Sequence, residues 1–490
     1  MTVLYGQGSS YLMGSFAPSK AAALGGIIIL ALTGCATVPD LGAAPDGKDA
    51  ASYAATKSLA APLVAWPADG WWTVYADPQL SALIDAALAG APSLAQAKAR
   101  IARAEAAYGE SRASELPSLE GDGSLSEVKE SLNQGFPAQF AQYLPRGYNS
   151  SGYLALKFGY EFDFWGKNRS AVAAAASELR AAQAEAAETR LALSAQIALA
   201  YADLGRLFAE RDLAERSAQV KEETAGLVSR RVTNGVDTRA ELEQAEAGAP
   251  AARAQLAAVD EDIAHAKNRI AALMGAGPDR GIEIARPAVA QVKAFGLPAQ
   301  LAADLLGRRP DIVAARWRAE AAAKRIGVAR AQFYPNINLA AYIGQQALFA
   351  NLLFRNTSQI GSVGPAVTLP IFEGGRLRSQ LRGARADYDD AVASYDATLV
   401  QALQELADTA ASERALVVRL TQSRTALAAD EEAFRLTRLR YEGGLANYQS
   451  VLLAEDAVLQ ARVIVADLNS RAFTLDVQLV QALGGGYTAS

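Results

Sequence analysis

The sequence predicts a mainly α-helical chain of long, coiled helices joined to a smaller β part of membrane type. Three observations lead there. The chain is rich in alanine, with charged residues at only 20% and aromatics at 7%; alanine has the highest helix propensity and lets neighbouring backbones approach closely. Residues 231–246 (RVTNGVDTRAELEQAE) and 440–455 (RYEGGLANYQSVLLAE) share Arg, Gly and a terminal Ala-Glu, at an offset of 209 that holds from Gly235 to Gly444 and from Ala245 to Ala454. Two copies of one unit therefore stand in tandem. Between the helical stretches the apolar period changes to two, as in half-buried strands.

The N-terminus carries a targeting segment. The apolar run from Ala21 to Gly34 follows a single cation, Lys20; it has the length of a signal-peptide core and falls short of a ~20-residue membrane span. Because the residues before Met13 fit a signal poorly, Met13 is the expected start. Leu32-Thr33-Gly34-Cys35 has the form of a bacterial lipobox, in which small residues precede a cysteine whose thiol takes a diacylglycerol. A chance cysteine in an ordinary signal is the alternative. Cys35 is the only cysteine, so no internal disulfide can form, and with the single histidine, His265, it offers too few soft ligands for a metal site. Ala36 stands where aspartate would retain a lipoprotein at the inner membrane, which favours the outer membrane. The expected division is 1–34 signal peptide, 35–75 lipid-linked segment, 76–280 first repeat and 281–490 second repeat. A net charge of −5 gives no electrostatic reason to expect a nucleic-acid partner.

Within each repeat the order is helix, strand hairpin, long helix, return helix. Leu-Pro-Ser-Leu at 116–119 and Tyr-Pro-Asn-Ile at 334–337 each close a helix and open a strand. In GYLALKFGYEFDF, Leu154, Leu156, Phe158, Tyr160, Phe162 and Phe164 alternate with Lys157, Glu161, Asp163 and small residues. Strands are expected at about 118–127, 152–164, 336–345 and 361–372, the last weakened by Pro365, with long hairpin tips at 131–150 and 347–360. Strands of about ten alternating residues match the transmembrane β signature. A soluble β subdomain would alternate too, but the signal and lipobox favour a membrane. Four strands cannot close a barrel, and an open edge in lipid leaves backbone groups unpaired, so further chains are required. From Arg376 the apolar positions Leu377, Leu381, Tyr388, Val392, Tyr395, Leu399, Leu403 and Leu406, then Leu420, Leu427, Phe434 and Tyr441, trace a coiled-coil seam. No proline interrupts it before Gly443, which predicts a helix of ~65 residues and roughly 100 Å. Its counterpart runs from about Arg169 to Val232, and return helices are expected over about 238–273 and 447–483, with a kink at Pro250 in the first copy alone.

This pattern resembles the TolC-like outer membrane efflux proteins, in particular the NodT-type lipoprotein branch of resistance-nodulation-division systems. The resemblance rests on WWTVYADPQLSALIDAAL (71–88), DFWGKNRSAV (163–172), RRPDIVAARWRAEAA (308–322) and ALGGGY (482–487), in that order, and covers nearly the whole mature chain. It implies a homotrimer whose sets of four strands close a 12-stranded β-barrel in outer-membrane lipid while the helices form a long α-barrel. The implied function is a passive conduit that docks on a periplasmic adaptor and an inner-membrane resistance-nodulation-division transporter. No catalysis is implied, and no cofactor beyond the acyl and diacylglycerol groups on Cys35. The sequence contains no G-x-S-x-G, H-E-x-x-H or P-loop motif. A periplasm-spanning coiled-coil adaptor or scaffold without a pore is the alternative; it would share the heptads but has no use for four amphipathic strands.

The resemblance further implies a periplasmic gate at the helix tips, built from Arg440 and Tyr441 with Asp237 as the acid that partners the tyrosine. The turns Gly235-Val236 and Gly444-Leu445 would be where adaptor hairpins dock. Relatives often carry a constricting aspartate where this chain has Leu453, with Asp456 nearly a turn away. A leucine ring would obstruct ions by dewetting rather than by charge. Every charge at these tips has a plainer reading as a solvated helix end, since exposed ion pairs contribute about 0–1 kcal/mol. Intact-mass analysis of the mature protein is expected to show an acylated Cys35 as its first residue; an unmodified residue at another position would remove the lipoprotein assignment.

Overall fold

The computed structural model describes residues 38–48, 52–129, 131, 143, 145–289, 295–299 and 301–489. The elements follow the tandem pattern: α1 (Pro78–Gly90), α2 (Pro92–Ala113), β1 (Ser118–Val128), β2 (Asn149–Phe162), α3 (Lys167–Thr233) and α4 (Arg239–Leu273), then the short α5 (Asp279–Ile282) and α6 (Leu301–Arg308). The second copy supplies α7 (Pro310–Ala331), β3 (Asn336–Ala347), β4 (Gln359–Thr368), α8 (Arg376–Glu442) and α9 (Tyr448–Ala482). Both long helices have 67 residues and both return helices 35, and every one of their boundaries is displaced by the same 209. The return helix α4 runs on through Pro250. No single helix among the described residues is long and apolar enough to cross a membrane.

Two compact units emerge, and each draws on both tandem copies. Among the described residues, the first falls within 38–43, 110–173 and 323–387, and holds the sheet. Its strands pair in the order β1-β2-β3-β4, antiparallel throughout, which leaves β1 and β4 with open edges within the chain. The register aligns Leu119 with Phe158, Leu156 with Ile343 and Ala341 with Val363, so one face is apolar from edge to edge. On the other face Lys157 pairs with Asp122 at 2.9 Å. Leu119, Leu125, Leu154, Leu156, Ile343, Val363 and Val367 are exposed on the apolar face, the reverse of what a sheet does over its own core. Pro365 lies in edge strand β4 opposite Leu339, where a missing ladder donor is tolerated. The last strand stops at Thr368 instead of reaching residue 372, because Pro370 cannot donate to the ladder and the chain turns toward α8 through Gly374-Gly375, both at positive φ. Below the sheet Ala329, Phe333, Leu377 and Leu381 form a cluster that also seats Val38 and Leu41.

The second unit comprises residues 44–109, 174–322 and 388–490. Its main core packs Trp71, Trp72 and Tyr75 and the Leu80–Leu83–Ile84 face of α1 against Ile197, Tyr201 and Leu204 of α3, Ile263 and Ile270 of α4, and Phe473 and Val477 of α9. Asp77 organises it. Its side chain caps α1 by accepting from Gln79 and Leu80 N–H at 2.9 and 3.2 Å, and also accepts from the Tyr201 hydroxyl at 2.7 Å and Ala288 N–H at 3.1 Å. A second core joins Leu305, Ile312, Leu399, Leu406 and Leu479. Beside it buried Arg309 binds Asp311 at 2.6 Å, Glu405 at 2.8 Å and the Ala482 carbonyl at 3.2 Å, which explains the Arg-Arg-Pro-Asp motif. Burial first, then the nearby Asp311 carboxylate, pushes Glu188 up to about 7, with Arg309 opposing. The terminal glycines are equally specific: a Cβ on Gly484 would stand 2.0 Å from the Arg308 carbonyl and one on Gly486 would meet the Ala68 backbone at 2.3 Å.

Asp77→Ala removes a cap and strands the buried Tyr201 hydroxyl, so a loss of about 2–4 kcal/mol is expected. A circular-dichroism melt in detergent should show a markedly lower midpoint, and Asp77→Asn should recover part of it by keeping an acceptor oxygen.

Candidate functional site

The two turns where long helix meets return helix are built alike. At the end of α3, Val236 N–H donates to the Arg231 carbonyl at 2.9 Å and Gly235 N–H to the Val232 carbonyl at 2.9 Å; at the end of α8, Leu445 donates to Arg440 at 2.7 Å and Gly444 to Tyr441 at 3.0 Å. This six-to-one bonding requires a left-handed residue, and Gly235 and Gly444 supply it at φ 72° and 77°. The next residue is apolar in both turns yet faces solvent, Val236 at 58% and Leu445 at 74% exposure. Thr238 then caps α4 through a capping box with Glu241, and Asn447 caps α9 by accepting from Ser450 N–H at 3.0 Å.

One arginine, one aspartate and one tyrosine tie the first turn to the second. Arg231 grips Asp237 with Nε at 2.9 Å and Nη2 at 3.1 Å, while its Nη1 donates to the Tyr441 backbone carbonyl at 2.7 Å. The Tyr441 hydroxyl donates to the same Asp237 carboxylate, and the Arg231 guanidinium lies 4.2 Å from the centre of the tyrosine ring. Tyr441 is fully buried, with Val228, Ala245, Tyr448 and Val451 around it. Burial alone would raise the Asp237 carboxyl, but hydrogen bonds from Arg231 and Tyr441 together with the Arg231 charge hold it below the ordinary carboxylate range. The same contacts raise Arg231, chiefly through its hydrogen bond to Asp237, and burial followed by the Asp237 acceptor pushes the Tyr441 phenol up.

The sequence-derived residues divide accordingly. Asp237 and Tyr441 come together. Arg440 does not join them; it is exposed, and its side chain makes no ion pair or hydrogen bond among the described residues. Its repeat counterpart Arg231 occupies that role. The reason is written six residues downstream, where the first copy has Asp237 and the second has Ala446. Leu453 is exposed on α9 at 62%. Asp456 is half-exposed and pairs with Lys221 of α3 at 3.6 Å. Lys221 also lies 3.7 Å from Glu455, which is buried and pushed up by that burial. Sequence reading missed Lys221 and Glu455, since only the packing of α3 beside α9 brings them together. Cys35 lies outside the described residues. His265 sits exposed on α4, 3.9 Å from Glu261.

Comparison with known proteins follows the same outline. The sequence profile described as "Outer membrane efflux protein" matches residues 83–276 and 301–485. The fusaric acid resistance protein FusA of Burkholderia cepacia is 39% identical over 325 residues, which is 66% of this chain but only 60% of that protein. The multidrug resistance outer membrane protein MdtP of Shigella flexneri is 32% identical over 434 residues, covering 87% of this chain and 88% of that one. Among solved structures, the outer membrane protein VceC of Vibrio cholerae superposes with a TM-score of 0.80 at 44% identity, over 86% of this chain and all of that one.

Because the Asp237 carboxyl is depressed in the folded tip, its contribution is present above the ordinary carboxylate pKa near 4 and is lost as pH falls below it. Amide hydrogen exchange over 232–238 and 440–446 is expected to stay slow between pH 5 and 8. Asp237→Asn, which costs about 1–3 kcal/mol locally, should speed it by about tenfold or more at every pH in that range.

Proposed function

The chain belongs to the outer membrane efflux protein family, and from that premise we propose that it is the outer-membrane channel of a tripartite efflux pump, a homotrimeric passive conduit closed at rest by its helix tips. The observation that carries this reading is the four-stranded sheet with two open edges and an exposed apolar face. In lipid those edges must pair with other chains, and three copies of four strands supply twelve, enough for a barrel. Exposed Phe164, Trp165, Ile371 and Phe372 at the foot of the sheet, with Trp165 stacked on Tyr334 at 4.7 Å, suit the aromatic girdle of a membrane interface. Exposed Val400, Val417, Val418, Leu436 and Leu439 along α8 suit burial against neighbouring copies. Lipidation at Cys35 draws support from Val38 and Leu41, which follow it closely in sequence and pack in the sheet-bearing unit. A poreless scaffold would leave all of this apolar surface without purpose.

Closure is assigned to the Arg231–Asp237–Tyr441 contact, which fixes the end of α8 to the start of α4, with Leu453 as the apolar constriction nearby. Docking of an adaptor on Val236 and Leu445 would act directly, since Val236 adjoins Asp237 and Leu445 donates to the helix turn that carries Tyr441. The inner-membrane transporter chooses the cargo, and the channel itself needs no chemistry.

Mass measurement in detergent is expected to give a trimer; a stable monomer with complete strand pairing would end the barrel reading. In planar bilayers, Tyr441→Phe and Arg231→Ser are each expected to raise single-channel conductance. Their double variant should gain less than the sum, because both act through Asp237. Arg440→Ser should change little and Leu453→Ser should raise conductance by wetting the constriction. Unchanged conductance in Tyr441→Phe, Arg231→Ser, their double variant and Leu453→Ser, with trimers intact, would place the resting seal elsewhere.

A further inference from the structure

Along the helices, α3, α8 and α9 line a solvent-open cavity of about 480 Å³ that the gate does not use. Its charged lining is three arginines against two aspartates, Arg206, Arg419 and Arg471 with Asp203 and Asp467, beside the hydroxyls of Ser470 and Thr474. Arg206 is committed to Asp203 at 2.8 Å and to Glu210 one turn further on. Arg419 and Arg471 have no ion pair or hydrogen bond among the described residues, and neither does Asp467. Two uncommitted guanidiniums therefore open into one cavity beside the apolar side chains of Leu199, Ile464 and Leu468. The volume lies within the range of small-molecule sites, about 300–1,000 Å³.

Helix geometry gives the direction in which this cavity opens. On α3 the core takes Ile197, Tyr201 and Leu204, with Leu199 partly buried against it, whereas the cavity takes Asp203 and Arg206. Each of these stands two residues further along, about 200° around the helix and so on the opposite face. On α9 the cavity residues Ile464, Asp467 and Arg471 continue the stripe that begins with Leu453, Asp456 and Gln460. The cavity thus shares a helix face with the proposed constriction.

We infer that this cavity is a binding site on the pore wall for small amphiphilic acids, a carboxylate resting on Arg419 and Arg471 and an apolar body against Leu199 and Ile464. Guanidinium forks bind carboxylates with directed, charge-assisted hydrogen bonds. Asp467 sits beside them as a repelling charge that keeps the site weak, as a conduit requires if cargo is to leave as readily as it enters. The placement on the pore wall rests on the channel reading above, but the cavity is formed within one chain and its binding can be measured independently.

The test uses 4-ethylbenzoate and its uncharged analogue 4-ethylbenzyl alcohol, in equilibrium dialysis against the full-length protein in detergent, with protein-free micelles as the blank. The acid should bind at least about tenfold more tightly than the alcohol, and Arg419→Gln with Arg471→Gln should erase that preference. Asp467→Asn, which retains both arginines, should tighten acid binding severalfold and serves if the double variant fails to assemble. Equal binding of acid and alcohol, or acid affinity unchanged in either variant, would overturn the site. In bilayers the acid should reduce parent current and leave the double variant's untouched. Acid binding with no effect on current would overturn the pore-wall placement, while a tip-opened Arg231→Ser variant that binds acid yet conducts nothing would overturn the channel reading and leave the cavity standing.

Discussion

A backbone amide in hydrocarbon has no water to pair with, and this constraint governs what the sheet of this protein can be. The strands β1 and β4 end the ladder inside one chain with their outer hydrogen-bonding groups open. The face that carries Leu156, Ile343 and Val363 is turned outward rather than onto a core. Neither feature is stable in a lone chain in water, where an exposed flat edge invites pairing and an exposed apolar face invites association. Both cease to be liabilities if copies of the chain complete a barrel in lipid. The proposed trimer is thus a consequence of unsatisfied backbone and apolar surface, and the long helices hang from that requirement.

The tandem repeat explains how a single chain provides so much helix, and its imperfections explain where the proposed gate lies. Every boundary of the long and return helices is repeated at an offset of 209. The two turns share the same left-handed glycine and the same six-to-one hydrogen bond. What differs is chemistry at a few positions. Val232 in the first copy is Tyr441 in the second, and Asp237 in the first is Ala446 in the second. A duplicated scaffold therefore holds a contact that exists once per chain, and that contact can be made only between the copies. Because Arg231 and Tyr441 both donate to the Asp237 carboxylate, loss of any one of the three weakens the others, which suits the proposed latch better than independent surface pairs would.

Buried charge elsewhere has a different character. Arg309 is enclosed by Asp311, Glu405 and the carbonyl at the end of α9, so it fixes that helix end against the start of α7. Asp77 does the same for α1 with four accepted hydrogen bonds. In both places polar groups taken from water are fully paired, and they set positions that apolar packing alone would leave adjustable. Arg419, Arg471 and Asp467 contrast with them: charged, facing a cavity and uncommitted.

Much was legible in the sequence because it depends on local periodicity. The seam from Leu377 to Tyr441 follows the heptad, the strands follow alternation over short runs, and Gly235, Gly444 and the glycines at 484–486 mark backbone that no other residue could occupy without strain or collision. The pairing of Tyr441 with Asp237 was also within reach, since the resemblance directed attention to both tips. The identity of the arginine was not. Arg231 and Arg440 are equivalent in sequence, each four residues before a turn glycine, and a linear reading favours the one adjacent to the tyrosine. Only folding shows that a side chain beside Tyr441 in sequence points away from it, because neighbours on a helix lie about 100° apart, whereas Arg231 approaches from another helix altogether. Lys221 with Glu455, and the cavity with its two uncommitted arginines, belong to the same class. Periodicity fixes which face of a helix is apolar, but which helix lies against that face is settled by packing across more than two hundred residues of chain, and contacts of that kind leave no local trace.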